Sequence, residues 1–161
     1  IGQGFALSRP LQLAIKIERI CTQGELVKPI IIKNKDHNKR FKKTTFLDEK
    51  VYSYVKQGMF NTVNNINGTA YQSREIKPGY FMAGKTATSQ VRRITMRERE
   101  EGIIKNEDLP RKMRDHALFV GYFPHDKPRF AFSIVVEHGG SGSKAAAPIA
   151  RDICKKLIEI I

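Results

Sequence analysis

Cysteine is scarce in this sequence: Cys21 and Cys154 are the only two, far apart and each among apolar residues in a helical pattern. Two buried thiols are expected, which leaves the redox compartment open. The four histidines, His37, His116, His125 and His138, show no metal-ligand spacing to one another or to the cysteines, so no metal site is expected. A glycine-rich phosphate loop is also missing, since Gly79 and Gly84 precede a lysine but no helical pattern follows. No cofactor is therefore expected. No apolar run reaches membrane-spanning length, and there are no internal repeats or low-complexity segments. The chain starts at Ile1 without an initiator methionine, which implies processing or excision, so the lack of targeting signals says nothing of a parent protein.

Acidic residues are few: 16 against 29 Lys and Arg, a formal charge of +13. Such a balance favours anionic surroundings such as nucleic acid, acidic lipid headgroups or a polyanionic wall. The basic residues are scattered, and Lys39-Arg40, Lys42-Lys43 and Arg92-Arg93 lack interleaved aromatics apart from Phe41. They read as a solvated face. A basic module that binds nucleic acid or anionic lipid is the alternative this charge keeps open.

What is present is one domain's worth of chain, 161 residues with 40% hydrophobic content. Ile1 to Phe5 is glycine-rich and read as a loop. Helical spacing of Leu13, Ala14, Ile17, Ile20 and Cys21, with Pro10 at the start and Gly24 as a stop, predicts a helix over Pro10 to Gln23. Val27 to Lys33 reads as a strand or extended segment, and the polar, basic Asn34 to Lys43 as a mobile surface loop. A second helix is expected within Leu47 to Ile66, with Val51, Tyr54, Val55, Met59 and Val63 on its inner side. His116 to Phe123 and Arg129 to Glu137 predict an antiparallel hairpin covered by helices on both faces. Between them and the preceding strand lies a long charged connection, Arg92 to Asp115, with a short helix expected over Thr95 to Glu101. A closing helix is marked by Pro148 and by a wide stripe of Ile149, Ile153, Leu157 and Ile160 with Ala146, Ala150 and Cys154 beside them.

These elements are arranged around Met82-Ala83-Gly84-Lys85-Thr86-Ala87-Thr88-Ser89-Gln90, which follows the Pro78-Gly79 turn and reads as a strand with a polar middle. Period-two alternation puts Thr86 and Thr88 on one face and Lys85 and Ala87 on the other. Two hydroxyls beside an ammonium suit a carboxylate. The plainer reading is a β segment whose threonines face water. Two Ser-x-x-Lys patterns, Ser53 to Lys56 and Ser141 to Lys144, could pair a nucleophile with a base. So much lysine makes such a match expected by chance, and Ser141 is placed to cap a helix.

The run Gly84-Lys85-Thr86-Ala87-Thr88 resembles the Lys-Thr-Gly motif of penicillin-binding proteins. It stands in a longer order: Ile1-Gly2-Gln3-Gly4, Pro10 to Ala14, Gly68-Thr69-Ala70, the motif itself, Phe119 to Pro124, then Ala146 to Ala150. That series is similar to the C-terminal part of a class B penicillin-binding protein transpeptidase domain, of the elongation type called penicillin-binding protein 2. The resemblance covers nearly the whole chain, so residues 1–161 are expected to be the C-terminal part of one such domain. It implies an α+β fold, a β-lactamase/transpeptidase-like antiparallel sheet flanked by helices, of which only the C-terminal portion is here. It also implies a serine D,D-transpeptidase that cross-links peptidoglycan stem peptides and binds β-lactams. Lys85 would then lie between the catalytic serines, Thr86 and Thr88 would hold the terminal carboxylate of the donor peptide, and the backbone N–H of Thr88 would help form an oxyanion hole. Ala87 stands where the family has glycine, and its methyl is expected to narrow the site; Arg9 stands where threonine precedes the proline. The family's Ser-x-x-Lys nucleophile and Ser-x-Asn motif belong before Ile1, so this chain alone is expected to be inactive. The expected setting is the inner membrane, with the catalytic domain facing the periplasm beside a partner glycan polymerase and without nucleic acid.

Overall fold

The computed structural model describes residues 7–25, 28–30, 32, 47–74 and 77–160. The expected loops at Ile1 to Phe5 and Asn34 to Lys43 lie outside them, as do Val27, Ile31 and Lys33, and the described residues between, 28–30 and 32, carry no strand.

Helix α1 spans Pro10–Cys21, with proline in the first turn and the Arg9 backbone N–H donating to Gln12 Oε1 at 2.8 Å. It ends two residues earlier than expected, and Gly24, at φ 98°, closes it by donating its N–H to Arg19 O at 2.8 Å. Helix α2 spans Glu49–Asn64, capped by Asp48, whose Oδ1 accepts from the Lys50 N–H at 3.0 Å. Its inner side is Tyr52, Met59 and Val63. Val51, Tyr54 and Val55, expected on that side, are 41%, 75% and 41% exposed.

Strands β1 (Ala83–Ser89), β2 (His116–Phe123) and β3 (Phe130–Val136) form an antiparallel sheet in the order β1-β2-β3. The hairpin is as expected, and the register pairs Lys85 with Val120, Thr86 with Phe119 and Thr88 with Ala117. Alternation divides the core. One face carries Phe119 and Phe123, packed with Val63, Met82, Ala146, Ala147, Ala150 and Cys154. The other carries Ala83 and Tyr122 against Ile17 of α1 and Met59 of α2.

The connection from β1 to β2 contains the expected short helix, α3 (Met96–Glu101), capped by Thr95. The chain closes with a π turn, Gly142–Ala146, running into helix α4, Ala147–Ile158. Here two expectations are corrected. Ile149 and Ile153 are 42% and 43% exposed and Ile160 75%, whereas Ala147, Ala150 and Cys154 are fully buried. Small residues let the helix backbone approach the sheet, and a stripe of isoleucines would hold it away. Nor does Ser141 cap a helix: its hydroxyl bonds Ser143 Oγ at 2.9 Å.

Behind the sheet, Tyr122 Oη lies 2.9 Å from His125 Nδ1, and the His125 ring packs on Phe60 with centroids 4.5 Å apart. Burial pushes the His125 imidazole below its ordinary range, with Lys56 reinforcing and Asp126 opposing the shift. The unfolded chain therefore takes up a proton that the folded one resists, and stability is lost as pH falls from the ordinary histidine value, about 6.5, toward the depressed one. Melting curves between pH 7.5 and 5.5 are expected to fall more steeply for the native sequence than for His125→Gln. Parallel curves would remove His125 from the account.

Candidate functional site

The middle of β1 is polar, yet the strand sits on a dense core. A Cβ at Gly84 would overlap the Phe119 ring, so glycine here lets that ring slide beneath the strand. Phe119 is fully buried and stacks on Phe132 with ring centroids 6.2 Å apart. From this floor the strand presents Lys85, Ala87 and Thr88 exposed and Thr86 half-buried. None of the three polar side chains is sealed in the core. The Cβ alternation follows the expected division, with Lys85 and Ala87 on the face shared with Val120 and Leu118, and Thr86 and Thr88 on that of Phe119 and Ala117. Among the described residues β1 pairs with β2 alone, which leaves its other edge without a strand partner.

Lys85 Nζ donates to the carbonyl of Thr86 at 2.6 Å, and its side chain lines a hollow of about 320 Å³ with Asn61, Asn65, Gly68 and Thr69. Thr86 Oγ1 lies 2.8 Å from Thr69 Oγ1, a contact across 17 residues of sequence. Thr69 carried no assigned role in the sequence, although Gly68-Thr69-Ala70 belongs to the ordered series. The turn that delivers it is closely built. A Cβ on Gly68 would overlap the carbonyls of Asn61 and Thr62. The Gly68 N–H donates to Asn65 O at 2.8 Å, and the Ala70 N–H to Thr62 O at 2.9 Å. Asn64 Nδ2 donates to Met82 O at 2.9 Å, tying the end of α2 to the start of β1. An ammonium and two hydroxyls are thus set along one accessible strand, one hydroxyl oriented by a neighbour.

Ala87, whose methyl is expected to narrow the site, is exposed on this strand. On the opposite side, a Cβ on Gly142 would overlap the carbonyls of Ala87 and Leu118, which shows how closely the π turn approaches this strand. The two Ser-x-x-Lys patterns do not form pairs. Lys144 Nζ is held by Glu107 Oε1 at 2.6 Å, and Ser141 turns to Ser143. No hydrogen bond joins Ser53, exposed on α2, to Lys56. No group of three or more His, Cys, Asp or Glu able to hold a metal occurs among the described residues.

Residues 1–155 match the family model of the penicillin binding protein transpeptidase domain. The chain is 28% identical, over 99% of its length, to the peptidoglycan D,D-transpeptidase MrdA of Salmonella typhimurium, and covers 26% of that protein. To MrdA of Haemophilus influenzae it is 30% identical over 95% of its length, covering 24% of that protein. Among solved structures it is similar to penicillin-binding protein PBP2 of Helicobacter pylori, seen in complex with MreC. There the TM-score is 0.78 at 29% identity, with 99% of this chain and 26% of that one covered. The chain thus spans about a quarter of the length of the curated relatives it matches.

Proposed function

The chain belongs to the penicillin-binding protein transpeptidase family, and on that footing we propose that it is the C-terminal part of a peptidoglycan D,D-transpeptidase domain. In this reading residues 1–161 supply the strand that grips the donor peptide, while the attacking serine comes from upstream protein. The observation that carries it is the accessible β1, with Lys85 and Thr88 exposed and the Thr86 hydroxyl oriented by Thr69. A peptide laid along the unpaired edge of β1 gains main-chain hydrogen bonds, and its terminal carboxylate gains charge-assisted bonds from Thr86, Thr88 and the nearby ammonium. Those contacts hold the penultimate carbonyl in place for attack. A β-lactam, which carries a carboxylate beside its reactive carbonyl, would occupy the same strand.

Complex formation with MreC belongs to the Helicobacter pylori protein; a glycan polymerase partner and an inner-membrane, periplasm-facing setting are part of the proposal for this one. No helix among the described residues is long and apolar enough to cross a membrane. The basic-module alternative is weaker, because the basic residues are scattered along the sequence with few interleaved aromatics.

The test is covalent capture of a fluorescent penicillin. The complete protein is expected to be labelled and the 161-residue chain alone to stay dark. Capture by this chain alone, abolished by Ser53→Ala, would replace the proposal with a self-contained Ser/Lys hydrolase.

A further inference from the structure

The hollow beside Lys85 borders the carboxylate end of the site, because Thr69, which lines it, also lies 2.8 Å from Thr86 through the two hydroxyls. Its wall is the second half of α2 and the turn that follows, and two features of that wall are unused by the fold. The first is Gly58. It sits inside α2, where glycine is less favourable than alanine, yet a Cβ there would meet no atom within 4 Å beyond its own stretch of helix. Packing does not require this glycine, and what its missing side chain leaves is room in the hollow. The second feature is a set of donors. Asn61 Oδ1 accepts from Gln57 Nε2 at 3.0 Å and Asn65 Oδ1 from the Asn67 N–H at 2.9 Å, which leaves both Nδ2 groups without a hydrogen-bond partner among the described residues. A hollow lined by free amide N–H groups suits carbonyl oxygens.

We propose that this hollow receives the second substrate of the transfer, a primary amine borne on an arm that contains amide groups, and that Gly58, Asn61 and Asn65 select that arm. The proposal rests on the strand-gripping reading above and adds an acceptor to it. Once the upstream serine has taken the donor's acyl group, the departing amino acid vacates the space between the acyl carbonyl and the hydroxyls of Thr86 and Thr88. The acceptor nitrogen has to enter that space. Its lone pair forms the new C–N bond, the ester C–O bond breaks, and the proton the nitrogen loses passes to the serine oxygen. A donor laid antiparallel to β1 extends toward Ser89, so the body of the acceptor extends the other way, past Thr86 and Lys85, where the hollow lies. Its volume of about 320 Å³ takes an arm of several heavy atoms, whose amide oxygens meet the N–H groups of Asn61 and Asn65. Water has no such arm, so the same contacts favour transfer over hydrolysis.

The experiment uses the complete protein, a synthetic donor peptide ending in D-Ala-D-Ala, and two amines competing in one tube: D-glutamine, whose arm ends in an amide, and D-norleucine, whose arm is of similar length and apolar. Mass spectrometry reads the ratio of the two extended products, from which any change in the acylation step cancels. The amide arm is expected to win by about three to ten times, the range for a neutral hydrogen bond. In Asn61→Leu/Asn65→Ser, where the serine keeps an oxygen for the Asn67 N–H, the ratio should fall to about one. Gly58→Leu, which fills the hollow, should lower both extended products several-fold against the hydrolysed donor while labelling by a fluorescent penicillin is retained. A ratio at or below one in the unaltered protein, no extended product from either amine, a ratio that survives the double variant, or a Gly58→Leu protein that transfers as before or loses its labelling overturns the acceptor hollow and leaves β1 as the carboxylate strand. Failure of the unaltered protein to take the penicillin overturns both.

Discussion

Replacing Lys85 with alanine in the complete protein is expected to slow acylation by penicillin by roughly 10² to 10⁴-fold, the range for removal of a positioned group that handles a proton at the reacting centre. The magnitude follows from the role proposed for this ammonium, between the serine that attacks and the carboxylate held by Thr86 and Thr88. The stability of the fold should hardly change. Lys85 is exposed, its ammonium reaches only the carbonyl of Thr86 among the described residues, and surface changes of this kind usually stay within about 0.5 kcal/mol. The split between a large kinetic loss and an unmoved melting temperature is therefore the signature. Stopped-flow acylation with a reporter β-lactam measures the first and calorimetry the second. Undiminished acylation would take Lys85 out of the chemistry, and a parallel loss of stability would make its role structural.

Phe119→Ala should do the reverse, costing about 3 to 5 kcal/mol of stability, the usual toll of emptying a buried phenylalanine site. Its ring is fully buried, stacks on Phe132 and fills the space left by Gly84 directly below the site strand. No neighbour can easily collapse into the gap, because Gly84 and Gly121 offer no side chains from their side of the strand pair. Phe119→Leu keeps most of the volume and should cost less. Denaturant midpoints for the three proteins check the order. A loss below about 1 kcal/mol for the alanine variant would mean that the floor of β1 is not held as described.

The contrast between these two residues shows what could be read from sequence. The faces of β1 and the β2–β3 hairpin were legible because a strand's side-chain period of two is fixed by the backbone and needs no partner to be known. The short helix α3 was legible from Thr95 and Glu98, whose reciprocal bonds are local. The inner side of α4 was legible only in part, since the expected stripe held the buried Ala150 and Cys154 together with the exposed Ile149 and Ile153. Hydropathy ranks Ile149 and Ile153 above Ala150, while the sheet admits only the smaller residue at its contact distance. In α2, Tyr52 is buried on the inner side while Val51 and Val55 are exposed, a choice between neighbouring positions that helical spacing alone does not make. Thr69 was placed in order but given no task, because its bond to Thr86 crosses 17 residues and depends on Gly68 closing onto the carbonyls of α2. Contacts of that kind belong to the tertiary structure, and a lone sequence carries no period that reveals them.

The most direct test of the central proposal asks whether β1 recognises a carboxylate. Acylation of the complete protein is measured with a penicillin and with its methyl ester, in the unaltered protein and in Thr86→Val/Thr88→Val. If Lys85, Thr86 and Thr88 grip an anionic end, the free acid reacts at least about tenfold faster than the ester, and most of that preference vanishes with the two hydroxyls. An ester that reacts as fast as the acid, or a preference untouched by both valines, contradicts it.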